Sequence, residues 1–403
     1  MICTKFSPEP SAPAVSKLPQ KTNPMQTQQN PYLSRLDHLR FLAASLVVLF
    51  HFFHHTQGDL RSGNPLVSLV DEGHTGIALF MVLSGFIFTV IAGHKDIHYA
   101  GFIRNRIIRI YPLLIVAACL QLFISTYNDH RNYGFLQLLS WLIPFRSETI
   151  GLSPYFQQMW TIWVELQFYL LFPFLIMFAR RYGSRYLWGV LALMFVLRAL
   201  VFAASGEVRY IAYETLFGRL DQFVVGMLLG RMWLAKDEMQ IEHGLKSAKS
   251  LHVLWLPPAA LLVLGVLHLF SLKVGFAELK SPVWVVWPLL EGAVWGSFVW
   301  VYLQVRWPGP EAIKGNIDKG LAALGAVSFS TYVFHNLVLA AYNNHAGIVH
   351  FTGLERFDTI LTGLLVVLPL VMLMSAFTYH LIEKPFLSMR KSYLSSGTPY
   401  QNS

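Results

Sequence analysis

Only two cysteines, Cys3 and Cys119, occur in 403 residues, one in an N-terminal stretch and one inside an apolar run, so no disulfide framework and no cysteine chemistry is expected. Charge is scarce as well. Asp, Glu, Lys and Arg make up 13% of the chain against 54% apolar residues, with 30 Phe and 11 Trp. A soluble globular domain carries about 25% charged residues, so this composition excludes one and leaves a polytopic membrane protein. The first 31 residues, with six Pro and several Gln, Ser and Lys, lack an apolar run; they read as a disordered cytoplasmic tail and not as a cleaved signal peptide. No internal repeat is evident. Ser84 lacks the Gly-x-Ser-x-Gly elbow of soluble hydrolases, which argues against a serine nucleophile. The His and acidic residues fall at no recognisable ligand spacing, so no metal is expected.

Present instead are ten apolar windows, each long enough to cross a hydrocarbon core of about 30 Å: residues 39–57, 74–93, 106–126, 158–179, 186–204, 217–235, 252–271, 283–304, 321–342 and 359–381. The run Phe135 to Phe145 is too short to cross and reads as an interfacial or re-entrant helix. The expected fold is therefore an all-α integral membrane protein of about ten transmembrane helices. The formal net charge of +9 is explained by topology. With both termini cytoplasmic, 22 of the 31 Lys and Arg fall in cytoplasmic segments and eight in outer ones, with Arg198 inside a span. This is the positive-inside bias, and it leaves no basic surface that requires nucleic acid. The chain divides into a tail (1–31), a membrane domain (32–388) and a second cytoplasmic tail (389–403); the 18 residues after Pro385 are too few for a further soluble domain.

Within the spans, ionisable residues mark candidate chemistry, because a charge in hydrocarbon is costly. Arg40 and His51 are eleven positions apart in LDHLRFLAASLVVLFHFFHH, which places them on one helix face about 16.5 Å apart along the axis. They cannot touch, but together they can hold the two ends of a long ligand with an anionic head. An arginine at the membrane surface and a hydrogen-bonded interface histidine would satisfy the same spacing. Arg104, Arg106 and Arg109 cluster in FIRNRIIRIYP, with Arg106 and Arg109 at i, i+3, a spacing that suits a phosphate clamp or simply a basic inner loop. Glu165, in MWTIWVELQFYLLFPF, lies about 10 Å inside the fourth span, where a carboxylate must pair. It can orient His51, bind a polar acceptor or serve a structural hydrogen bond. His335, in VSFSTYVFHNLVL, reaches about the depth of His51, as a catalyst or a satisfied core histidine. His54 and His55 extend the first helix outward, to meet an acceptor or to cap the span. Gly73-x-x-Gly76 and Leu83-Ser84-Gly85-Phe86 suit close helix packing.

In order, these pieces resemble the membrane acyltransferase family 3. The resemblance covers most of residues 33–387 and rests on Leu36-Asp37-His38-Leu39-Arg40 with His51, Phe80-Met81-Val82-Leu83-Ser84-Gly85-Phe86, Arg106-x-x-Arg109-Ile110-Tyr111-Pro112, Trp163-Val164-Glu165-Leu166-Gln167-Phe168-Tyr169, Tyr332-Val333-Phe334-His335 and Ile382-Glu383-Lys384-Pro385-Phe386. It implies acyl transfer from acyl-coenzyme A to hydroxyls of sugars and related acceptors, with Arg40 and His51 as the essential pair and Arg106 and Arg109 in the donor site. Leu166 replaces the second glutamate of the family's common pair beside Glu165. Some relatives carry an extracytoplasmic esterase-like domain; without one, the acceptor must come to the membrane.

The expected reaction is O-acylation at a bacterial inner membrane, with acetyl-coenzyme A the expected donor substrate and no permanently bound cofactor. Arg40, Arg106 and Arg109 hold the nucleotide phosphates, the thioester reaches His51, and His51 acts as general base on a glycan hydroxyl. An acyl-histidine intermediate is the alternative course. Backbone donors or His335 are candidates for stabilising the oxyanion. His51 lies about 18 Å into the first span, just past the midplane, between a cytoplasmic donor and an outer acceptor. Two other classes fit a chain of this kind. A secondary transporter would show paired halves with matched broken helices, which this sequence lacks. A silent scaffold would leave the buried His51 and Glu165 unexplained.

Overall fold

The structure, a computed structural model, describes residues 33–57, 63–128, 141–143, 154–242, 251–276 and 278–395. The protein is an all-α membrane protein. The only strands among the described residues are the two-residue segments Asp96–Ile97 and Leu394–Ser395, which pair antiparallel. In chain order the main helices are α1 (Ser34–Gln57), α2 (Pro65–Asp71), α3 (Gly76–Ala92), α4 (Tyr99–Asn128), α5 (Trp160–Tyr182), α6 (Ser184–Ser205), α7 (Arg209–Glu214), α8 (Leu216–Glu242), α9 (Leu256–Lys273), α10 (Trp287–Gln304), α11 (Glu311–Ala326), α12 (Ser328–His345) and α13 (Glu355–Leu387).

Seven helices among the described residues are long and apolar enough to cross a membrane, or up to eight if α11 and α12, bent by 62° at Val327, form one broken span. The windows expected at 217–235 and 283–304 are also helical, as α8 and α10. Both are less apolar than the others because α8 carries Arg219, Asp221 and Arg231, and α10 carries Glu291 and several Trp. Of the short helix expected over Phe135 to Phe145, only 141–143 are described; the expected tail 1–31 lies wholly outside the described residues.

Glycine brings the central helices together. A Cβ on Gly85 of α3 would lie 2.0 Å from the Phe223 carbonyl oxygen of α8, and one on Gly226 would lie 2.0 Å from the Val82 oxygen. No side chain fits there, so the two backbones pack directly, as small residues allow in a solvent with no hydrophobic drive between helices. The same device seats α3 on α1: Gly73 and Gly76 stand against the Leu46 and Ala43 oxygens, at 2.5 and 2.3 Å for a virtual Cβ. On its other side α1 receives Gly325 of α11 against the Asp37 oxygen. The helix bearing Arg40 and His51 is thus gripped on two faces. Residues Ala43, Ala44, Val47 and Val48 along it are fully buried.

Buried ions in this frame are matched. The Arg198 guanidinium meets Asp221 at 2.6 and 3.2 Å and also donates to the carbonyls of Val285 and Phe217, with both side chains fully buried. Arg219 donates to Glu291 at 3.2 Å, and Gln222 donates to the same carboxylate oxygen at 2.8 Å. Such pairs are tolerable in low dielectric only because the geometry closes around both charges.

Candidate active site

At the Arg40 end of α1 a cavity of about 230 Å³ opens between α1, α3, α4, α5 and α12. It gathers residues far apart in sequence. Arg40, Arg106 and Arg109 line it together with Glu165, Ser84, Tyr169, Tyr332 and a fourth arginine, Arg390. Four guanidiniums therefore face one lining carboxylate. Arg40 comes from α1 and is held by Asp37 one turn earlier, at 2.7 Å. Arg106 and Arg109 come from the first half of α4. Aromatic rings orient Arg106: its guanidinium carbon stands 4.6 Å from the Phe88 centroid and 5.0 Å from that of Phe102, a cation–π setting that fixes the cation without neutralising it. The Arg106 Nε is buried and has no partner among the described residues. Arg109 stands 6.0 Å from the Phe329 ring and within electrostatic reach of Glu383, whose carboxylate accepts from the Ser330 hydroxyl.

Glu165 accepts from the Tyr169 hydroxyl, one turn on in α5, and from Ser84 Oγ at 3.4 Å. The carboxylate belongs to the arginine cavity, and its bonds run to Tyr169 and Ser84 instead of to His51. Tyr169 was not singled out in the sequence, although its i+4 spacing from Glu165 is the signal that places both on one helix face.

His51 and His335 do not line this cavity; they form a second cluster further along α1. His335 Nε2 lies 3.2 Å from His51 Nδ1, with ring centroids 4.8 Å apart, an adjacency that sequence spacing had suggested only as equal depth. Backbone carbonyls assign the tautomers. His51 Nδ1 is 2.9 Å from the Val47 oxygen and His335 Nδ1 is 2.8 Å from the Tyr332 oxygen; since a carbonyl only accepts, each neutral ring carries its proton on Nδ1. His335 Nε2 then accepts from His51 Nδ1–H, which is shared with Val47. His51 Nε2 keeps a lone pair and has no hydrogen-bond partner among the described residues. His55 follows one turn outward, exposed, its ring centroid 6.4 Å from that of His51.

Tyr332 joins the two clusters. It lines the arginine cavity, its ring centroid is 5.8 Å from that of His335, and it faces Phe80 at 6.4 Å. Its hydroxyl donates to the Gln158 carbonyl at 2.9 Å and accepts from Thr161 at 2.7 Å. Gln158 also donates to the Val333 carbonyl and accepts from Asn336, which fixes the His335 turn of α12 against the start of α5. Gln158 and Thr161 carry no charge, and nothing in the sequence distinguishes them from other polar residues of a span; Tyr332 stands in the Tyr332-Val333-Phe334-His335 motif, which gives it no role of its own.

Known proteins share the sequence that carries these clusters. The family described as "Acyltransferase domain" matches residues 33–379, most of the chain and both clusters except Glu383 and Arg390. The protein belongs to acyltransferase family 3. Among relatives, exopolysaccharide production protein ExoZ of Rhizobium meliloti is 28% identical over 170 residues, 40% of this chain and 51% of ExoZ. Nodulation protein 10 of Rhizobium leguminosarum bv. viciae is 27% identical over 40% of this chain and 48% of its own length. Acyltransferase MdmB of Streptomyces mycarofaciens is 26% identical over 66% of this chain and 63% of its own length. The match thus spans about half the length of the first two relatives and under two thirds of the third. No solved structure matches this family 3 chain.

Proposed function

We propose that this acyltransferase moves an acyl group, acetyl in the simplest case, from cytoplasmic acyl-coenzyme A to a hydroxyl of a sugar or envelope glycan. The observation that carries the reading is the division of labour along α1: a cavity with four guanidiniums and one carboxylate at one end, and a histidine with an unpartnered Nε2 at the other. Guanidiniums in excess of the carboxylates around them suit a donor with several phosphates. A neutral imidazole held by its Nδ1–H suits a general base.

In this mechanism Arg40, Arg106 and Arg109 bind the nucleotide end, and the pantetheine arm runs past Tyr332, which lines the cavity and stands beside His335. His51 Nε2 takes the acceptor hydroxyl proton as the oxygen attacks the thioester carbon. The C–S bond breaks, and the leaving thiolate takes the proton from His51. His335, by accepting from His51 Nδ1–H, steadies the ring and favours the imidazolium that forms. Glu165 holds Tyr169 and Ser84 in place at the wall of the donor cavity. Similarity to a protein named for exopolysaccharide production supports a glycan acceptor in this reading. No cofactor is bound permanently, and the lipid bilayer is the remaining partner. Ten spans with both termini cytoplasmic, in a bacterial inner membrane, put the arginines on the side that holds coenzyme A, in line with the 22 to eight distribution of Lys and Arg.

Two measurements test this. Purified protein should cleave the thioester of acetyl-coenzyme A in detergent when a hydroxyl acceptor is supplied; transport of a solute without thioester cleavage would replace the enzyme reading with a transporter. In a background lacking Cys3 and Cys119, Gly347→Cys lies in an exposed loop after α12 with open space around its Cβ. An impermeant thiol reagent should label it from outside intact cells. Labelling only after lysis would reverse the topology and move the arginine cavity away from coenzyme A.

A further inference from the structure

Residues 388–395, at the point where the sequence suggests a tail begins, fold back across the arginine end of the bundle. Three attachments hold them to α4 and to the segment just before it. The Asn105 side-chain amide donates to the Lys391 carbonyl at 2.6 Å and accepts from the Lys391 N–H at 3.2 Å, so both polar groups of that residue close on one buried side chain. The His98 N–H donates to the Tyr393 carbonyl at 2.9 Å, and Leu394 and Ser395 pair with Ile97 and Asp96. The Tyr393 ring packs on Phe102 with centroids 5.4 Å apart and reaches Arg106 at 3.5 Å through its hydroxyl. Gly101 makes room for it, since a Cβ there would stand 3.1 Å from the Tyr393 Cβ.

This docking carries Arg390, just before Lys391, into the wall of the cavity already lined by Arg40, Arg106 and Arg109. The Arg390 Nε and Nη2 are buried, and neither has a partner among the described residues. Burial, together with the positive charges of Arg109 and Arg106, pulls the Arg390 guanidinium down to about 10. Asp37 pairs with Arg40, and Glu383 is within electrostatic reach of Arg109 and Arg390, but with Glu165 these make three carboxylates against four guanidiniums, an excess of buried positive charge that is unfavourable unless an anion completes the set.

We propose that the C-terminal strap completes the donor site, with Arg390 as a fourth guanidinium that binds a phosphate of the acyl-coenzyme A nucleotide. The proposal rests on the reading of this cavity as the donor site and extends it. Arg390 touches the substrate in this account; Asn105 and Tyr393 are positioning residues that act through it.

The test uses the full chain in detergent and follows coenzyme A binding by calorimetry. Wild-type protein should bind coenzyme A more weakly as salt rises. Arg390→Gln should weaken binding about ten- to hundredfold, the effect of one charge-assisted hydrogen-bonded contact. Arg390→Lys, which keeps the charge but not the fork, should recover part of that loss. Asn105→Ala, which frees the strap and leaves Arg390 in the chain, should also weaken binding and serves as a second variant if Arg390→Gln folds poorly. The discriminating readout is S-acetyl-pantetheine, which has the thioester but no phosphate. Its turnover should be unchanged by Arg390→Gln. Equal losses with both donors would make Arg390 structural and overturn the proposal. Wild-type binding of coenzyme A with no change in Arg390→Gln and Asn105→Ala would overturn the strap's role alone. Absence of wild-type binding would overturn the donor site and the strap together.

Discussion

Arginine occurs inside this bundle in two settings that differ in one respect. Arg198 and Arg219 are fully buried, and each meets a carboxylate, Asp221 or Glu291; carbonyls complete the Arg198 shell, while Arg219 Nη2 and Glu291 Oε1 have no hydrogen-bond partner among the described residues. Arg106, Arg109 and Arg390 face an open cavity whose one lining carboxylate, Glu165, is occupied by Tyr169 and Ser84. In the first arrangement each cation has a carboxylate in direct contact. The second is incomplete until an anion enters. Buried cations are therefore not equivalent signs of function; what separates them is whether the fold supplies the counter-charge.

Predictions that bear on this contrast begin with the histidine at the far end of the same helix. His51→Ala should lower the acyl-transfer rate by about 10² to 10⁴ with the thermal midpoint in detergent little changed, since it removes a proton acceptor from a half-buried position. Near-normal turnover in the purified variant would remove His51 from the chemistry. For the closed arrangement, Asp221→Ala should destabilise the protein by about 3–5 kcal/mol by leaving Arg198 buried and unpaired. Combining Arg198→Met with Asp221→Leu should restore most of that loss. If Asp221→Ala leaves the thermal midpoint intact but abolishes donor binding, the distinction between the two settings collapses. In the open arrangement, Arg106→Ala and Arg109→Ala should each raise the KM for acyl-coenzyme A by the equivalent of about 1.5–3 kcal/mol and change the acceptor KM less. Stability should change little for Arg109; Arg106 also packs on Phe88 and Phe102, so its loss should lower the midpoint modestly. The smallest effect is expected at Tyr169→Phe, about 1 kcal/mol in kcat/KM, by removing one bond to Glu165. A loss as large as that at His51 would show that Tyr169 itself handles a proton.

How much of this was legible beforehand depends on how local each signal is. The helices were legible because an apolar run long enough to span lipid is a property of consecutive residues. α8 and α10 show the limit: their charges lower hydropathy, and only packing explains why those charges are tolerated there. The Arg40 to His51 spacing put both on one face of one helix, and the structure keeps them there with different partners. Arg40 faces the cavity and Asp37, while His51 faces Val47 and His335. Glu165 illustrates the opposite case. A buried carboxylate had to pair; Tyr169 was within reach on the same helix, and whether His51 was also within reach depended on how α5 is placed against α1.

From sequence alone came the membrane class, the order of the motifs, the side preference of the basic loops and the residue types fit for phosphate binding and proton transfer. These follow from composition, period and charge, which the chain carries whatever its fold. Only the tertiary structure decided that His335 touches His51, that Tyr332 stands between histidines and arginines, and that Arg390 joins Arg106 across more than 280 positions of chain. Such contacts depend on helix rotation and close approach. Those are set by backbone-to-backbone packing at Gly76, Gly85, Gly226 and Gly325, and no pattern along one segment encodes which distant oxygen a missing Cβ makes room for.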